Sequence, residues 1–201
     1  MRLRTAFVLG LLALGGATTA GAQATGTPTF NAPYRAFTRS EFGVMVSFPN
    51  RGGTAVEGMY RIARDKFDLG FKVGFLDPDI GNAFLLAGAE ARQRVITHNA
   101  DFPLDGALVF GLGAQLRSNA SVFLIPVGLS LGRRINVQGS ALSIVPYLQP
   151  TLTIRGGDGG SDVLFTLGLG ADFRFTPRFD GRLSAGLGDL EGVSLGFVWV
   201  H

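Results

Sequence analysis

Charged side chains recur on one face of several segments of the chain, and they are the residues best suited to chemistry. Carboxylates and basic groups enclosed together either form ion pairs or line a polar pore, in which an excess of arginine favours anions. We predict a structural ion-pair network, with a narrow pore as the alternative. The predicted members of this charge network are Glu57, Arg61, Asp68, Lys72, Glu90, Arg92, Arg117, Asp172 and Arg174, and Arg94 and Arg182 share their face.

Catalytic and metal-binding chemistry finds little support in the rest of the sequence. A hydrolase needs a base close to a nucleophile or an acid, but His98 falls in a predicted turn and His201 is the last residue. The stretch GGDGGSD at 156–162 occurs once, without the spacing of a calcium-binding repeat. The chain has no cysteine, which excludes disulfides and thiolate metal sites. We therefore expect no enzymatic activity, no cofactor and no metal.

Ten segments with a period of two position these charges. They lie at 40–48, 54–64, 67–76, 82–95, 104–117, 121–134, 141–155, 163–175, 181–189 and 192–200. In FDLGFKVGFL, the clearest of them, Phe67 and Phe71 share an apolar face, while Asp68 and Lys72 share the other. Alternation of this kind is typical of β-strands, and short connections indicate antiparallel neighbours in a meander. The number of strands falls to eight if 40–48 or 181–189 is not a full strand.

The polar face of these segments is crowded with glycine, and the opposite face is almost continuously apolar. Glycine, with 30 of 201 residues, weakens a solvent-facing strand but suits a narrow lumen. Strands of about 9–11 residues are long enough to cross a bilayer when tilted. We therefore predict an all-β fold, an antiparallel up-and-down transmembrane β-barrel of ten strands, whose apolar face contacts lipid and whose lumen is lined by glycine and charge.

The N-terminal residues have the composition of an export signal. Arg2 and Arg4 precede the apolar run 6–14, and small residues then form two cleavage sequences, Ala-Gly-Ala at 20–22 and Ala-Gln-Ala at 22–24. This predicts a cleaved signal peptide at 1–24, an irregular segment at 25–39 and the barrel at 40–201. Without Arg2 and Arg4, the 18 basic residues become 16 against 15 acidic ones, so we expect no nucleic-acid partner.

The last strand ends in a pattern that resembles an assembly signal. The chain is similar over 40–201 to the small bacterial outer-membrane β-barrel proteins, the OmpA-transmembrane-like and porin-like group. In that group the last strand carries a glycine, then an apolar or aromatic residue, then a terminal aromatic. Gly196 and, three residues on, Trp199 fit the first two positions of this pattern, and His201 stands two residues further, where phenylalanine is usual; Phe197 is included in the predicted signal. The resemblance implies an outer membrane of the Gram-negative type, contact with its lipid, and periplasmic chaperones and the barrel-assembly machinery as partners.

Three hypotheses follow for the function. The first is an outer-membrane barrel with a closed lumen and a structural or interaction role. The second is a narrow channel for small solutes. The third is a secreted soluble β-barrel that binds a ligand inside. The apolar face and the C-terminal pattern favour the first two over the third.

Overall fold

The computed structural model describes residues 23–33 and 39–201. Residues 1–22 of the predicted signal peptide and residues 34–38 of the predicted irregular segment lie outside the described part. Between 39 and 201 the chain is built of β-strands joined mostly by short turns. Within the described residues, no helix is long and apolar enough to cross a membrane.

Eleven strands follow one another along the chain. They are β1 (Glu41–Pro49), β2 (Thr54–Arg64), β3 (Phe67–Asp77), β4 (Phe84–Ile96), β5 (Asp105–Arg117), β6 (Ala120–Gly132), β7 (Ile135–Asn136), β8 (Ser143–Gly157), β9 (Asp162–Arg174), β10 (Phe179–Gly188) and β11 (Gly192–Val200). The two-residue β7 pairs only with the start of β8. It lies in a stretch predicted as a plain connection, and the other ten strands form the barrel wall.

The wall is a closed antiparallel barrel. Each of the ten strands pairs with the next, and the first pairs with the last, with Glu41 opposite Val200 and Val44 opposite Phe197. Closure leaves no open sheet edge, so every strand finds backbone partners on both sides. The predicted fold class is confirmed, and ten strands rather than eight are present because both doubtful segments, now β1 and β10, are full strands.

Alternate residues of each strand face the two sides of the wall. In β3, for example, Phe71 and Val73 are exposed on the outer surface, whereas Asp68 and Lys72 are buried inside. The same alternation holds in β11, where Trp199 points outwards. The outer surface is thus apolar and the lumen polar, as the pattern predicts.

The lumen of this barrel contains residues 23–33, which we call the plug segment. We name the end of the barrel at which β1 begins and β11 ends the base, and the opposite end the mouth. Gly26 lies at the floor of a cavity in the mouth, and Pro33 lies close to Gly132 near the base. Almost all of the plug segment is buried, including Thr27 and Phe30, which are completely inaccessible. Nothing in the irregular composition of this segment indicated that it would lie inside the barrel.

The plugged lumen as candidate functional site

Hydroxyl groups of the last two strands hold the middle of the plug segment. Ser184 of β10 and Ser194 of β11 donate hydrogen bonds to the Pro28 carbonyl at 2.7 and 3.0 Å. The Phe30 amide donates to the Ser184 hydroxyl at 3.2 Å. A buried backbone carbonyl outside a helix or sheet needs a donor from elsewhere, and the hydroxyl groups of the wall supply it to Pro28.

Charged residues from the opposite side of the wall also bind the segment. Lys72 donates from Nζ to the Thr29 carbonyl at 3.1 Å and to its hydroxyl at 2.8 Å. Arg92 donates from Nη1 to the Ala32 carbonyl at 2.6 Å. Thr27 donates from its hydroxyl to Glu57 Oε2 at 2.6 Å. Charge-assisted hydrogen bonds of this kind are stronger than neutral ones, so the plug segment is anchored from both sides.

Aromatic packing seats the plug segment against β8, β9 and β10. The Phe30 side chain is 0% exposed and forms an apolar cluster with Val145, Tyr147 and Leu190. The Tyr147 hydroxyl donates to the Phe30 carbonyl at 2.9 Å. A Cβ at Gly168 would overlap the Phe30 ring. The absence of a side chain at this position of β9 is therefore what makes room for the ring.

Glycines of β4 and β5 make the same kind of room for Ala24. A Cβ at Gly88 would lie 3.1 Å from the Ala24 Cβ, and one at Gly111 would lie 3.2 Å from it. At Gly113 an added Cβ would overlap the Ala24 carbonyl oxygen. The glycines on the polar face, which predicted a narrow lumen, thus form the surface on which the plug segment packs.

Arg61 stands at the centre of a buried chain of ion pairs. Its guanidinium contacts Asp68 at 2.5 Å and Glu90 at 2.8 Å. Arg92 contacts Asp68 at 2.8 Å and donates to it through Nε as well. The Arg61 guanidinium lies over its cross-strand neighbour Gly70 of β3, where a Cβ would lie 2.8 Å from the guanidinium carbon, so a side chain at this position would require Arg61 to move.

Arg182 continues this chain on the other side of the lumen. Its Nη2 donates to both oxygens of Glu41, at 2.9 and 2.8 Å, and its Nε lies 3.3 Å from Asp172. Glu41 also lies 3.6 Å from Arg61, which links the two halves of the chain. Arg182 Nη1 donates to the Asn31 side chain at 3.0 Å. One arginine therefore ties β1, β9 and the plug segment together.

The structure brings together most, but not all, of the predicted charge network. Arg117 is separate from it: this side chain is exposed and lies over the ring of Phe84, 4.7 Å from its centroid. Arg174 is partly exposed and lies 3.9 Å from Asp180, outside the central chain. The members found buried in the lumen are Glu57, Arg61, Asp68, Lys72, Glu90, Arg92 and Asp172.

Some residues of the site were missed in the sequence. Glu41 shares the alternation that places Met45 and Ser47 inside, so extending the two-residue period of β1 to its first residue would have found it. Arg182 lies on the predicted face but was not included in the network. No pattern in the sequence indicated the contacts of Asn31, because the plug segment shows no alternation of polar and apolar residues that would predict which side chains face the wall.

The residues of the predicted assembly signal run from the middle of β11 to the base. Gly196 faces the lumen, where a Cβ would overlap the Met45 side chain, and Phe197 and Trp199 face outwards. The His201 ring stacks on the Tyr60 ring with centroids 5.9 Å apart. His201 thus makes an aromatic contact at the C-terminal end of the chain.

Each end of the lumen opens into a cavity. The cavity at the mouth has a volume of about 550 Å³ and the one at the base about 460 Å³. His98 lines the basal cavity with Asp105, whose carboxylate lies 2.9 Å from His98 Nδ1 and accepts the His98 amide at 3.0 Å. The contacts of this pair are those of a turn that is closed by an aspartate.

Comparison with solved structures finds chains of similar fold. The β-domain of the Bordetella autotransporter BrkA matches 81% of this chain and 99% of its own, with 13% identity and a TM-score of 0.51. A de novo designed transmembrane β-barrel matches 86% and 98%, with 14% identity and a TM-score of 0.41. A bacterial polysaccharide outer membrane secretin matches 86% and 66%, with 13% identity and a TM-score of 0.47.

The likeness to the autotransporter β-domain agrees with the closed antiparallel β-barrel described above. At these identities the likeness concerns the fold alone. No protein-family model and no curated protein matches the chain. The narrower resemblance to the OmpA-transmembrane-like group stays a prediction.

Proposed function

We propose that this protein is an integral outer-membrane β-barrel, closed by its own plug segment, with a structural or interaction role and no enzymatic activity. The observation that carries the proposal is the plug segment: residues 23–33 fill the lumen and are hydrogen-bonded to the wall on several sides. A solute channel would need an open path through the lumen, and the plug segment occupies that path. The proposed partners are outer-membrane lipid and, during assembly, periplasmic chaperones and the barrel-assembly machinery.

The outer surface of the barrel supports a membrane location. Large apolar side chains are exposed on every strand of the wall, among them Val44, Phe71, Val73, Leu112 and Phe165. Soluble proteins rarely expose a contiguous apolar patch larger than a few hundred Å². In β3 the exposed side chains run from Phe67 to Phe75, about 26 Å along a strand that rises about 3.3 Å per residue. This length suits the apolar band of a membrane barrel.

Aromatic side chains near the base fit the same proposal. Rings stack around the outside there, with Phe179 and Phe197 centroids 5.8 Å apart and His201 on Tyr60. Membrane barrels place girdles of aromatic residues where the hydrocarbon meets the headgroups. The proposed periplasmic side is the base, because barrels with an even number of strands place both chain ends there.

The first test is the conductance of the purified barrel in planar bilayers. The unaltered protein is expected to give no discrete conductance steps, because the plug segment occupies the lumen. A variant lacking residues 26–33 is expected to give steps, because their removal empties the space beside Ser184, Lys72 and Arg92. Discrete steps from the unaltered protein would instead support the channel.

Membrane location is tested separately by a gel on fractions from cells that express the full chain. Closed membrane barrels stay folded in cold detergent and change mobility on boiling. A mobility shift in the outer-membrane fraction is expected. Protein that is soluble without detergent and shows no shift would support the secreted ligand-binding barrel.

A further inference from the structure

The charged side chains outside the lumen differ in sign between the two ends of the barrel. Among the described residues, eight basic side chains near the base are not buried, against two acidic ones, Asp65 and Asp101. Counting the buried Asp105 and Asp180, which lie at the same end, leaves eight against four. The surface at the base is therefore positively charged.

The mouth has the opposite balance. Three basic side chains that are not buried lie there, Arg51, Arg117 and Arg155. Six acidic ones accompany them, namely Asp77, Asp79, Asp158, Asp162, Asp189 and Glu191. The excess of positive charge is thus a property of the base and not of the whole outer surface.

The basic residues at the base form two groups by exposure. Arg39, Arg94, Arg134 and Arg174 are half-buried, whereas Arg64, Lys66, Arg133 and Arg178 are exposed. Among the described residues, which include every aspartate and glutamate of the chain, none forms an ion pair with these four exposed cations. Arg64 and Arg133 donate only to backbone carbonyls, those of Ala63 and Pro103, at 3.1 and 3.2 Å. The four cations are therefore available to an external anion.

Exposed apolar side chains accompany these cations along the chain. They are Phe67 after Lys66, Ile135 two residues after Arg133, and Phe175 before Arg178. Long basic side chains place their charge in water while their stems cover apolar surface. A cation beside an exposed apolar side chain therefore suits the level at which hydrocarbon meets charged headgroups.

The four exposed cations are distributed around the barrel. Arg64 and Lys66 lie at the turn between β2 and β3, Arg133 follows β6, and Arg178 lies in the turn between β9 and β10. Two to four strands of the wall separate these three positions from one another. Charges placed around the circumference, next to an apolar outer surface, fit a partner that itself surrounds the barrel, and lipid is such a partner.

We propose that the base of the barrel binds the headgroups of anionic phospholipids, whose phosphate groups contact Arg64, Lys66, Arg133 and Arg178. The inference rests on the proposed membrane location and names the class of lipid that the base selects. Phosphate oxygens accept charge-assisted hydrogen bonds from arginine and lysine. Each basic residue close to an anionic membrane surface also adds to the attraction. The mouth, with its excess of carboxylates, has no such preference.

The single tryptophan of the chain can report which lipid lies at this surface. Trp199 faces outwards and is the cross-strand partner of Phe179, the residue after Arg178. The Val200 amide donates to the Arg178 carbonyl at 2.8 Å, which keeps the two chain segments together. Bromine atoms on an acyl chain quench tryptophan fluorescence on contact. A lipid that collects at Arg178 therefore quenches Trp199 more than its share of the bilayer predicts.

The experiment is quenching of Trp199 in the full, purified barrel. The barrel is reconstituted in vesicles of phosphatidylglycerol and phosphatidylcholine in equal amounts, with each lipid brominated in turn. Phosphatidylglycerol is expected to be favoured about fivefold, the effect of roughly one basic residue at an anionic surface. The preference is expected to fall in about 1 M salt, where charges are screened within about 3 Å. Because both leaflets have the same composition, the orientation of the inserted barrel does not affect the result.

Variants then test which cation is responsible. Arg178→Gln is expected to reduce the preference at Trp199 by about twofold or more, because the nearest cation is lost. Arg133→Gln removes the same charge from a part of the base three strands away from β11. It is the matched control and is expected to leave the preference at Trp199 unchanged. Heat-modifiable mobility on a gel shows that each variant has folded.

A second reporter extends the test to the turn between β2 and β3. The double substitution Trp199→Phe and Phe67→Trp moves the only tryptophan next to Lys66. There Lys66→Gln is expected to lower the preference for phosphatidylglycerol, and Arg178→Gln is expected to leave it unchanged.

Two results would overturn the inference and leave the proposed membrane location intact. One is equal quenching by the two lipids in the unaltered, folded barrel, which would make the basal cations available to an acidic protein instead. The other is a preference that survives Arg178→Gln at Trp199. Absence of quenching by either lipid would show that Trp199 is outside the bilayer, which contradicts the proposed location as well.

Discussion

At the scale of single residues, Arg182 joins strands of the wall to the plug segment. It binds Glu41 of β1 with two hydrogen bonds, lies beside Asp172 of β9, and donates to Asn31 of the plug segment. The planar guanidinium has five N–H donors and so can serve several acceptors at once. Arg182 therefore connects the seam at which the barrel closes to the segment that fills it.

Replacing Arg182 by glutamine is expected to destabilise the barrel by about 3 kcal/mol, because removal of one partner from a buried ion pair leaves an uncompensated charge. Urea unfolding in lipid vesicles measures this change. Arg117→Gln alters an exposed arginine and is expected to change the free energy of unfolding by less than about 0.5 kcal/mol. Equal effects of the two substitutions would contradict the role of Arg182.

Gly168 offers a second test at this scale. In Gly168→Leu the side chain would enter the space of the Phe30 ring, and forced overpacking of this kind costs about 1–3 kcal/mol. At Gly58, on the outer surface, an added Cβ has only one neighbour, a backbone oxygen at 3.8 Å. Gly58→Leu is the matched control, and the urea midpoint is expected to fall for Gly168→Leu alone.

At the scale of elements, β11 carries both the closure of the barrel and the predicted assembly signal. It pairs with β1 and β10 along most of its length, so the barrel is complete only when β11 is in place. The side chains of Trp199 and Phe197 point outwards from the wall. On the inner side, the absence of a side chain at Gly196 makes room for the Met45 side chain. β11 thus carries aromatic side chains on its outer side and leaves room for a neighbouring side chain on its inner side.

The terminal histidine gives a prediction about this strand. If His201 stands in for the usual aromatic residue of the assembly signal, His201→Phe is expected to raise the yield of heat-modifiable barrel about twofold, and Trp199→Ala is expected to lower it severalfold. His98→Phe, in a turn at the base, is the control and is expected to leave the yield unchanged. A fall in yield with His201→Phe would indicate that the imidazole itself is required.

At the scale of the whole molecule, the barrel has a polar interior and an apolar exterior, the reverse of a soluble protein. Buried arginine and carboxylate groups fill the inside, and exposed leucine, valine and phenylalanine cover the outside. This arrangement agrees with the proposed membrane location, where hydrocarbon replaces water as the outer solvent and closure of the wall satisfies the backbone.

A charge placed on the outer surface tests this interpretation. Val73 lies in the middle of β3 and is 59% exposed. In a bilayer, Val73→Lys is expected to cost about 2–4 kcal/mol, because lysine near the midplane loses its hydration. Ile80→Lys, in the turn between β3 and β4, keeps the new charge in water and is expected to cost little. In a soluble barrel both substitutions would be nearly neutral.

The sequence by itself determined the wall of this protein. A period of two, visible in segments such as Phe67–Asp77, depends only on which side of a strand each residue faces, so strand positions and the two faces could be predicted from local pattern. Short turns then imposed the meander. The inward position of Asp68, Lys72 and Glu90 followed from the same alternation.

Tertiary structure alone decided what fills the lumen. The plug segment has no period, and its position depends on long-range contacts such as those of Pro28 with Ser184 and Ala32 with Arg92. Which charged groups form ion pairs likewise depends on the distances between their side chains in the folded barrel. For this reason Arg117 lies outside the network and Glu41 belongs to it. Local alternation gives the side of the wall, but only the closed barrel brings residues far apart in the chain within hydrogen-bonding distance.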